Sequence, residues 1–384
     1  MKKKALMTAS VASMIDLFNM DNIHILQEAG YEVHVASNFK FGSITSQERV
    51  DTFRRELTDA GILTYHIPIP RSIGDIKNII RSYRQMKQLC AKEQYALIHT
   101  QSPIGGVVTR LAAGKIRKKG SKVIYTAHGF HFFKGASKKN WILFYPIEKF
   151  LSRYTDVLIT INQEDYQRAQ KFHAGKVCYV SGIGIDIQKF SEDIPDRAQV
   201  RESFGVTGQD FLLISVGQLS KRKNQETLIR AMAEISDKTI KYLIVGLGEY
   251  EQIDRELAKK LHVEDKVIFA GYHENVNALL HAADCFVFPS LQEGLPVSLM
   301  EAMAAQVPVI CSRIRGNIDL ITDGTEGILV EAMDVKGYAK AVMELKAHPK
   351  LAAEYRKNAF EKIKGFSIGA VHGQMEEIYY NGLQ

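Results

Sequence analysis

PSLQEGLPVSLMEAMAAQVPVI, Pro289 to Ile310, decides how the chain is read. The apolar run Cys285–Pro289 leads into it as a strand. A short loop follows, then a helix of small residues, then a second apolar run at Pro308–Cys311. Pro296 stands at the helix start, where a missing N–H costs nothing. Strand, helix and strand in this order form one unit of a parallel sheet.

The scheme repeats in both directions. Strands are expected at Phe211–Val216, Tyr242–Val245, Lys266–Ala270 and Gly327–Val330 in this half. In the other half they are expected at Lys4–Thr8, Glu32–Ser37, Leu63–Pro68, Leu97–Gln101, Lys122–Ala127 and Val157–Asn162. Amphipathic segments separate them, such as Asp75–Lys92 with Ile76, Ile79, Ile80, Tyr83, Met86 and Leu89 on one stripe. Continuous apolar strands fit sheets covered by helices on both faces. A length of 384 residues accommodates two such domains. The reading is therefore α/β, with two doubly wound Rossmann-like domains at 1–182 and 183–365 and a boundary near 181–195. The final segment, 366–384, is expected to return to the first domain. Doubly wound sheets bind ligands beyond the carboxyl ends of their strands, so two facing sheets would share a central cleft.

Composition narrows the classes. Cys90, Cys178, Cys285 and Cys311 form no CxxC pair and no zinc-ligand spacing. Lys2, Lys3 and Lys4 precede only a short apolar run, too short for a secretory leader, and this segment reads as a first strand. No run approaches the ~18 apolar residues of a spanning helix. Net charge is +7, unevenly placed: residues 1–190 hold 28 Lys and Arg against 15 Asp and Glu, and residues 191–384 hold 22 against 28. That asymmetry points one half toward an anionic surface, phospholipid or nucleic acid.

The chemistry gathers around Pro289–Ile310. Gly294 and Leu295 supply backbone N–H groups where the loop enters the helix, an end whose partial positive charge suits a diphosphate. Glu301, eight positions after Glu293, accepts two hydrogen bonds at once, as the vicinal hydroxyls of a ribose require. Glu293 is placed closer to a transferred sugar. A plain loop–helix junction is the competing reading. The pattern resembles the retaining GT-B nucleotide-sugar glycosyltransferases, which carry two glutamates at this spacing before a small-residue helix and a Pro-Val strand. That resemblance implies a GT-B fold and sugar transfer from a nucleoside diphosphate, with UDP the family-level preference.

Other stretches take their meaning from it. In SVGQLSKRKNQETLIRA, Ser215 to Ala231, the basic loop Lys221–Lys223 lies between a strand and a helix. Lys223 is cast as the cation on the β-phosphate with Arg222 in support. Gly217 and Gln218 adjoin the donor, and Gln218 stands where the family commonly has Arg. The turn GLGEYEQ, with Gly246 and Gly248, approaches the nucleotide in the family, and groups near Tyr272 and Val276 face its base. In VIYTAHGFHFFKGA, Val123 to Ala136, His128 ends a strand and matches the family's donor-sugar histidine better than His131 does. The first loop, TASVASM, lacks the family's glycines. Ser10, Ser13, Asp16 and His131 are assigned to the acceptor, with a helix cap the alternative for Ser13.

No DxD motif and no metal spacing is present, so transfer without a metal or other cofactor is expected, the nucleotide sugar being a co-substrate. Lys115, Arg117, Lys118, Lys119 and Lys122 cluster, as do Lys134, Lys138 and Lys139, the latter beside Phe130, Phe132, Phe133, Trp141, Phe144 and Tyr145. Basic charge beside exposed aromatics suits docking on an anionic leaflet; the competing reading is a solvated charged loop beside a core helix, with Trp141 to Tyr145 in the core. A lipid-linked saccharide is thus the expected acceptor, at the cytoplasmic side of the inner membrane. GFHFFKGA and INQEDYQRA resemble bacterial exopolysaccharide and capsule enzymes of the family. The rival readings are a nucleotide-sugar 2-epimerase and a non-catalytic nucleic-acid-binding protein. The first is disfavoured by the glutamate spacing, and the second by the acidic C-terminal half and the lack of a nucleic-acid motif.

Overall fold

The structure, a computed structural model, describes residues 2–43, 45–191 and 196–381. It divides into two compact units, Met1–Ile183 with Val371–Gln384, and Gly184–Ala370. The division falls inside the expected 181–195 interval, whose last four positions lie outside the described residues.

The first unit holds a seven-stranded, all-parallel sheet: β1 (Lys4–Val11), β2 (Glu32–Asn38), β3 (Leu63–His66), β4 (Leu97–Gln101), β5 (Lys122–Ala127), β6 (Val157–Thr160) and β7 (Lys176–Tyr179). Its order is β3-β2-β1-β4-β5-β6-β7, so the winding reverses between β1 and β4. Successive residues of a strand face opposite sides. Ala5, Met7 and Ala9 accordingly enter one core with Ile23, Leu26 and Phe53. Leu6 enters the core on the other face with Met86, Ile98 and Val108. β7 escaped the sequence reading because KVCY is a short, half-exposed edge strand without an apolar run.

The C-terminal helix, Ile368–Tyr380, buries Val371, Met375, Ile378 and Tyr379 against the first unit's core. The Tyr379 hydroxyl lies 2.6 Å from Nδ1 of His99, whose Nε2 is 2.8 Å from Thr126 Oγ1. Burial pushes His99 down to about 3 and keeps it neutral. The return begins slightly later than expected, because Ser367 bridges Ile185 in the second unit.

The second unit holds a six-stranded parallel sheet: β8 (Phe211–Val216), β9 (Ile240–Val245), β10 (Val267–Gly271), β11 (Cys285–Phe288), β12 (Val309–Ser312) and β13 (Ile328–Val330). The order β10-β9-β8-β11-β12-β13 reverses between β8 and β11. All six expected strands are present, with ends shifted by one or two residues. Among the described residues, no helix is long and apolar enough to cross a membrane.

Candidate active site

The crevice at a winding reversal lies beyond the carboxyl ends of the two central strands. In the second unit these are β8 and β11, and the two loops leaving them are laced together. The Leu291 amide donates to the Arg222 carbonyl at 2.8 Å, and Arg222 Nη1 donates to the Gln292 carbonyl at 2.8 Å. Asn224 holds a left-handed backbone, φ 58°, and its Nδ2 donates to the carbonyls of Pro289 (2.9 Å) and Ala332 (2.8 Å). Asn tolerates this conformation better than most residues, and that was the only signal by which the sequence marked it. Arg315, also missed, is buried and donates from Nε to the Glu293 carbonyl at 3.1 Å.

On this frame two cations meet one carboxylate. Lys223 Nζ lies 3.0 Å and Arg222 Nη1 2.7 Å from Glu293 Oε1. Glu293 is 8% exposed. Burial lowers the Lys223 pKa, Glu293 raises it, and Arg222 lowers it. Lys223 Nζ also sits 4.4 Å from the centre of the Phe288 ring. Gly294 is partly exposed, while Leu295 and Pro296 are buried. The helix runs Val297–Ala304, one residue later than expected, with Pro296 as its flanking N-cap.

Glu301 lies on that helix and is partly buried. Burial pushes its carboxyl up to about 7, against a small opposing effect of Lys189. A group titrating there makes ligand binding pH-dependent. Two hydroxyls donating to the carboxylate favour the charged form, so a diol ligand binds with loss of a proton below about pH 7. Affinity for such a diol ligand is expected to fall about tenfold for each pH unit below that value, and Glu301→Gln is expected to flatten the profile. Isothermal titration across pH checks both.

Gln218 is exposed at the end of β8 and its carbonyl accepts from Gln225 Nε2 at 3.3 Å. Gly217 lies beside Lys223: a Cβ there would sit 3.2 Å from the Lys223 Cε. Gly246 has φ 136°, and an added Cβ would fall 2.0 Å from the Gly217 carbonyl oxygen; at Gly248 it would fall 2.0 Å from that of Leu219. Their need for glycine is thus close packing of the β9 turn on the β8 loop. Gly246→Ala combines overpacking with an unfavourable φ and is expected to cost about 3 kcal/mol or more in denaturant unfolding. Tyr272 is 69% exposed just past β10, and Val276 opens the helix Val276–Ala282.

In the first unit, His128 Nε2 is 2.5 Å from Gln101 Oε1. Gln101 Nε2 in turn donates to Asn19 Oδ1. An amide oxygen only accepts, so Nε2 of His128 carries the proton and Nδ1 is left as an acceptor. Burial lowers His128 to about 4, keeping it neutral at physiological pH. Gln101 and Asn19, both buried, were not singled out in the sequence, since one polar residue at a strand end and one between helices carry no distinctive spacing.

The placement of Ser10, Ser13 and Asp16 in a first loop is corrected by the structure. β1 runs on to Val11, so Ser10 lies in the strand and not in a loop. Ser10 Oγ is 2.7 Å from Ser102 Oγ and accepts from the Gly105 amide at 3.2 Å. Ser13 is buried inside the helix Ala12–Phe18, whose N-cap is Val11, so it is not a cap either. Asp16 takes a bidentate pair from Arg49, Nε at 2.9 Å and Nη2 at 2.5 Å. His131 stacks on Phe144 with ring centres 4.6 Å apart. Of the two readings of the aromatics, the structure favours the core. Phe130 and Phe132 are core residues, and Trp141, Phe144 and Tyr145 pack against them, because the helix they share turns that face inward. One trio among the described residues has ligand atoms close enough for an ion, Glu28, His372 and Glu376, and it lies in the first unit.

Two doubly wound parallel sheets, the second with cations and a carboxylate at its winding reversal, define a two-domain α/β protein of GT-B architecture. The chain belongs to the group 1 glycosyltransferases. The pattern of glycosyl transferases group 1 matches residues 196–362, and that of glycosyl transferase 4-like proteins matches residues 8–162. The candidate glycosyltransferase EpsD of Bacillus subtilis (strain 168) is 36% identical over 384 residues, covering 99% of this chain and 97% of its own. A UDP-Gal:alpha-D-GlcNAc-diphosphoundecaprenol alpha-1,3-galactosyltransferase of Escherichia coli is 28% identical, covering 80% of each chain. Among solved structures, Anabaena HepE in complex with UDP and glucose superposes with a TM-score of 0.78 at 19% identity, covering 98% of this chain and 99% of its own.

Proposed function

We propose that the chain is a retaining glycosyltransferase that moves a sugar from UDP to a lipid-linked saccharide during assembly of a bacterial surface polysaccharide. It would work at the inner face of the cytoplasmic membrane. The observation that carries the donor reading is the meeting of Lys223, Arg222 and Glu293 at the β8–β11 reversal, beside the start of the helix bearing Glu301. The names of the galactosyltransferase and HepE relatives support UDP and the lipid-linked acceptor.

In this reading the diphosphate lies at the Gly294–Pro296 end of the helix. Its charge is met by the helix N-terminus and by Lys223, with Arg222 and Gln218 at the rim. Phosphate displaces the Glu293 carboxylate from these cations, leaving Glu293 to hold hydroxyls of the donor sugar. Glu301 holds the ribose, and the segment Tyr272–Val276 faces the base. As the anomeric C–O bond breaks, negative charge grows on the leaving phosphate, where preorganised cations act most strongly. The acceptor hydroxyl attacks on the leaving-group face and the departing phosphate oxygen takes its proton. His128, neutral with Nδ1 as acceptor, is the first unit's candidate to accept from a sugar hydroxyl. These groups supply the electrostatics without a metal.

Thermal shift with UDP, followed by NMR of the product anomer from a UDP-sugar with and without EDTA, tests the reading. UDP is expected to raise the unfolding temperature. The product is expected to keep the donor's anomeric configuration, and the rate to be insensitive to EDTA. Rapid conversion of donor to a free epimer without acceptor would establish the epimerase instead.

A further inference from the structure

The helix Lys138–Leu151 is apolar on both sides. Its inner side carries Trp141, Phe144 and Tyr145 against the first unit's aromatic core, and Leu151 is buried as well. Glu148, also turned inward, takes a 2.9 Å ion pair from the buried Arg110. The outer side carries Ile142 (77% exposed), Leu143 (45%), Ile147 (39%) and Phe150 (51%), with Pro146 also exposed. Positions 142, 143, 146, 147 and 150 recur at helical spacing and share one face. Scattered exposed apolar residues are ordinary, whereas a contiguous stripe of them marks a binding surface. Leu111 is likewise exposed on the neighbouring helix Pro103–Arg117.

The charge around this stripe is mostly positive. Lys134, Lys138, Lys139 and Arg153 are exposed in and around the helix, and Lys115 and Lys118 lie on or at the end of the neighbouring one. Between residues 131 and 155 the only acidic residue is Glu148, already committed inward to Arg110. An apolar ridge rimmed by cations, the adjoining carboxylates Glu164 and Asp156 being paired with Arg168 and Arg117, complements an anionic headgroup layer over acyl chains. A protein partner would have to cover the ridge and neutralise every rim lysine. An anionic bilayer does both with one surface.

Resting on the membrane-face reading above, we propose that the outer face of Lys138–Leu151 is the membrane-docking element. Ile142, Leu143, Ile147 and Phe150 enter the interface, and Lys138, Lys139 and Arg153 bind anionic headgroups. Trp141, Phe144 and Tyr145 of the same helix do not take part, since they pack against the core.

Co-sedimentation of the full chain with vesicles of phosphatidylcholine alone, or mixed with phosphatidylglycerol, tests this. The wild type is expected to bind the mixed vesicles and to bind phosphatidylcholine weakly. The triple variant Ile142→Ser, Ile147→Ser, Phe150→Ser is expected to lose about tenfold or more in partitioning. The double variant Lys138→Gln, Lys139→Gln is expected to lose most of the preference for phosphatidylglycerol. Because the changed residues are exposed, both variants are expected to keep the wild-type UDP thermal shift. Equal binding by wild type and triple variant overturns the proposal, as does no binding by the wild type. A wild type that self-associates without binding vesicles, and a triple variant that is monomeric, assign the face to a second copy of the chain and also overturn it. Vesicle binding without any UDP response sinks the donor reading and leaves this one standing. The reverse result does the opposite.

Discussion

Glu301→Ala is expected to abolish the UDP thermal shift and to weaken UDP binding about a hundredfold or more. A carboxylate that accepts two hydroxyl donors loses both charge-assisted hydrogen bonds on truncation. At about 1.5–3 kcal/mol each, the loss is at least ~3 kcal/mol. The same variant is expected to fold normally without ligand, and the sign follows from the raised carboxyl, at about 7. A carboxyl whose folded pKa lies above its unfolded value stabilises the fold while protonated at low pH. That contribution is lost as pH rises through about 7. At pH 8 the buried charge is therefore a cost that alanine removes, so the ligand-free variant should be no less stable than wild type there. Binding loss with retained stability is the pattern to look for. A UDP response unchanged by the substitution would remove the ribose role from Glu301.

Lys223→Ala is expected to lower kcat by about 10²–10³ while leaving the unfolding temperature nearly unchanged. Removing a preorganised donor aimed at developing transition-state charge typically costs this much. Stability responds little for a different reason. Lys223 is largely buried, so desolvation of its charge offsets the attraction of Glu293. After its removal Glu293 still keeps Arg222 at 2.7 Å. Lys223→Arg tests whether position or charge matters, since a planar guanidinium does not place its charge where an ammonium does. Single-turnover kinetics with saturating donor separates this from weaker binding. A variant with raised KM and intact kcat would move Lys223 from catalysis to ground-state binding.

The two substitutions probe a loop residue, Lys223, and a helix residue, Glu301, in segments that follow strands the sequence had already marked. Strand positions were legible because each strand is an apolar run between turn signals, and both sheets follow from strand–helix alternation. The Glu293–Glu301 segment was legible because a local pattern carries it whole: loop, proline, helix. Edge strand β7 was not, since half-exposed KVCY lacks that pattern. The pairing of Ser10 and Asp16 was not legible either, because a polar residue near a strand end reads alike whether it faces a ligand or a buried partner. Their partners, Ser102 and Arg49, lie far along the chain.

By itself, then, the amino-acid order determined the class of fold, the approximate strands and the segment that carries Glu293 and Glu301. All of these are set by periodicity and turn chemistry within one stretch of chain. Only the tertiary structure decided which polar groups meet. It joined Lys223 and Arg222 to Glu293 across two loops, oriented His128 through Gln101 and Asn19, and withdrew Ser10, Ser13 and Asp16 into internal contacts. It also turned Trp141, Phe144 and Tyr145 of Lys138–Leu151 inward and left Ile142, Leu143, Ile147 and Phe150 in solvent. The reason is that a helix with apolar residues all round does not announce which side is covered. Burial and pairing are fixed by elements distant in the chain, and their packing is not written in local spacing.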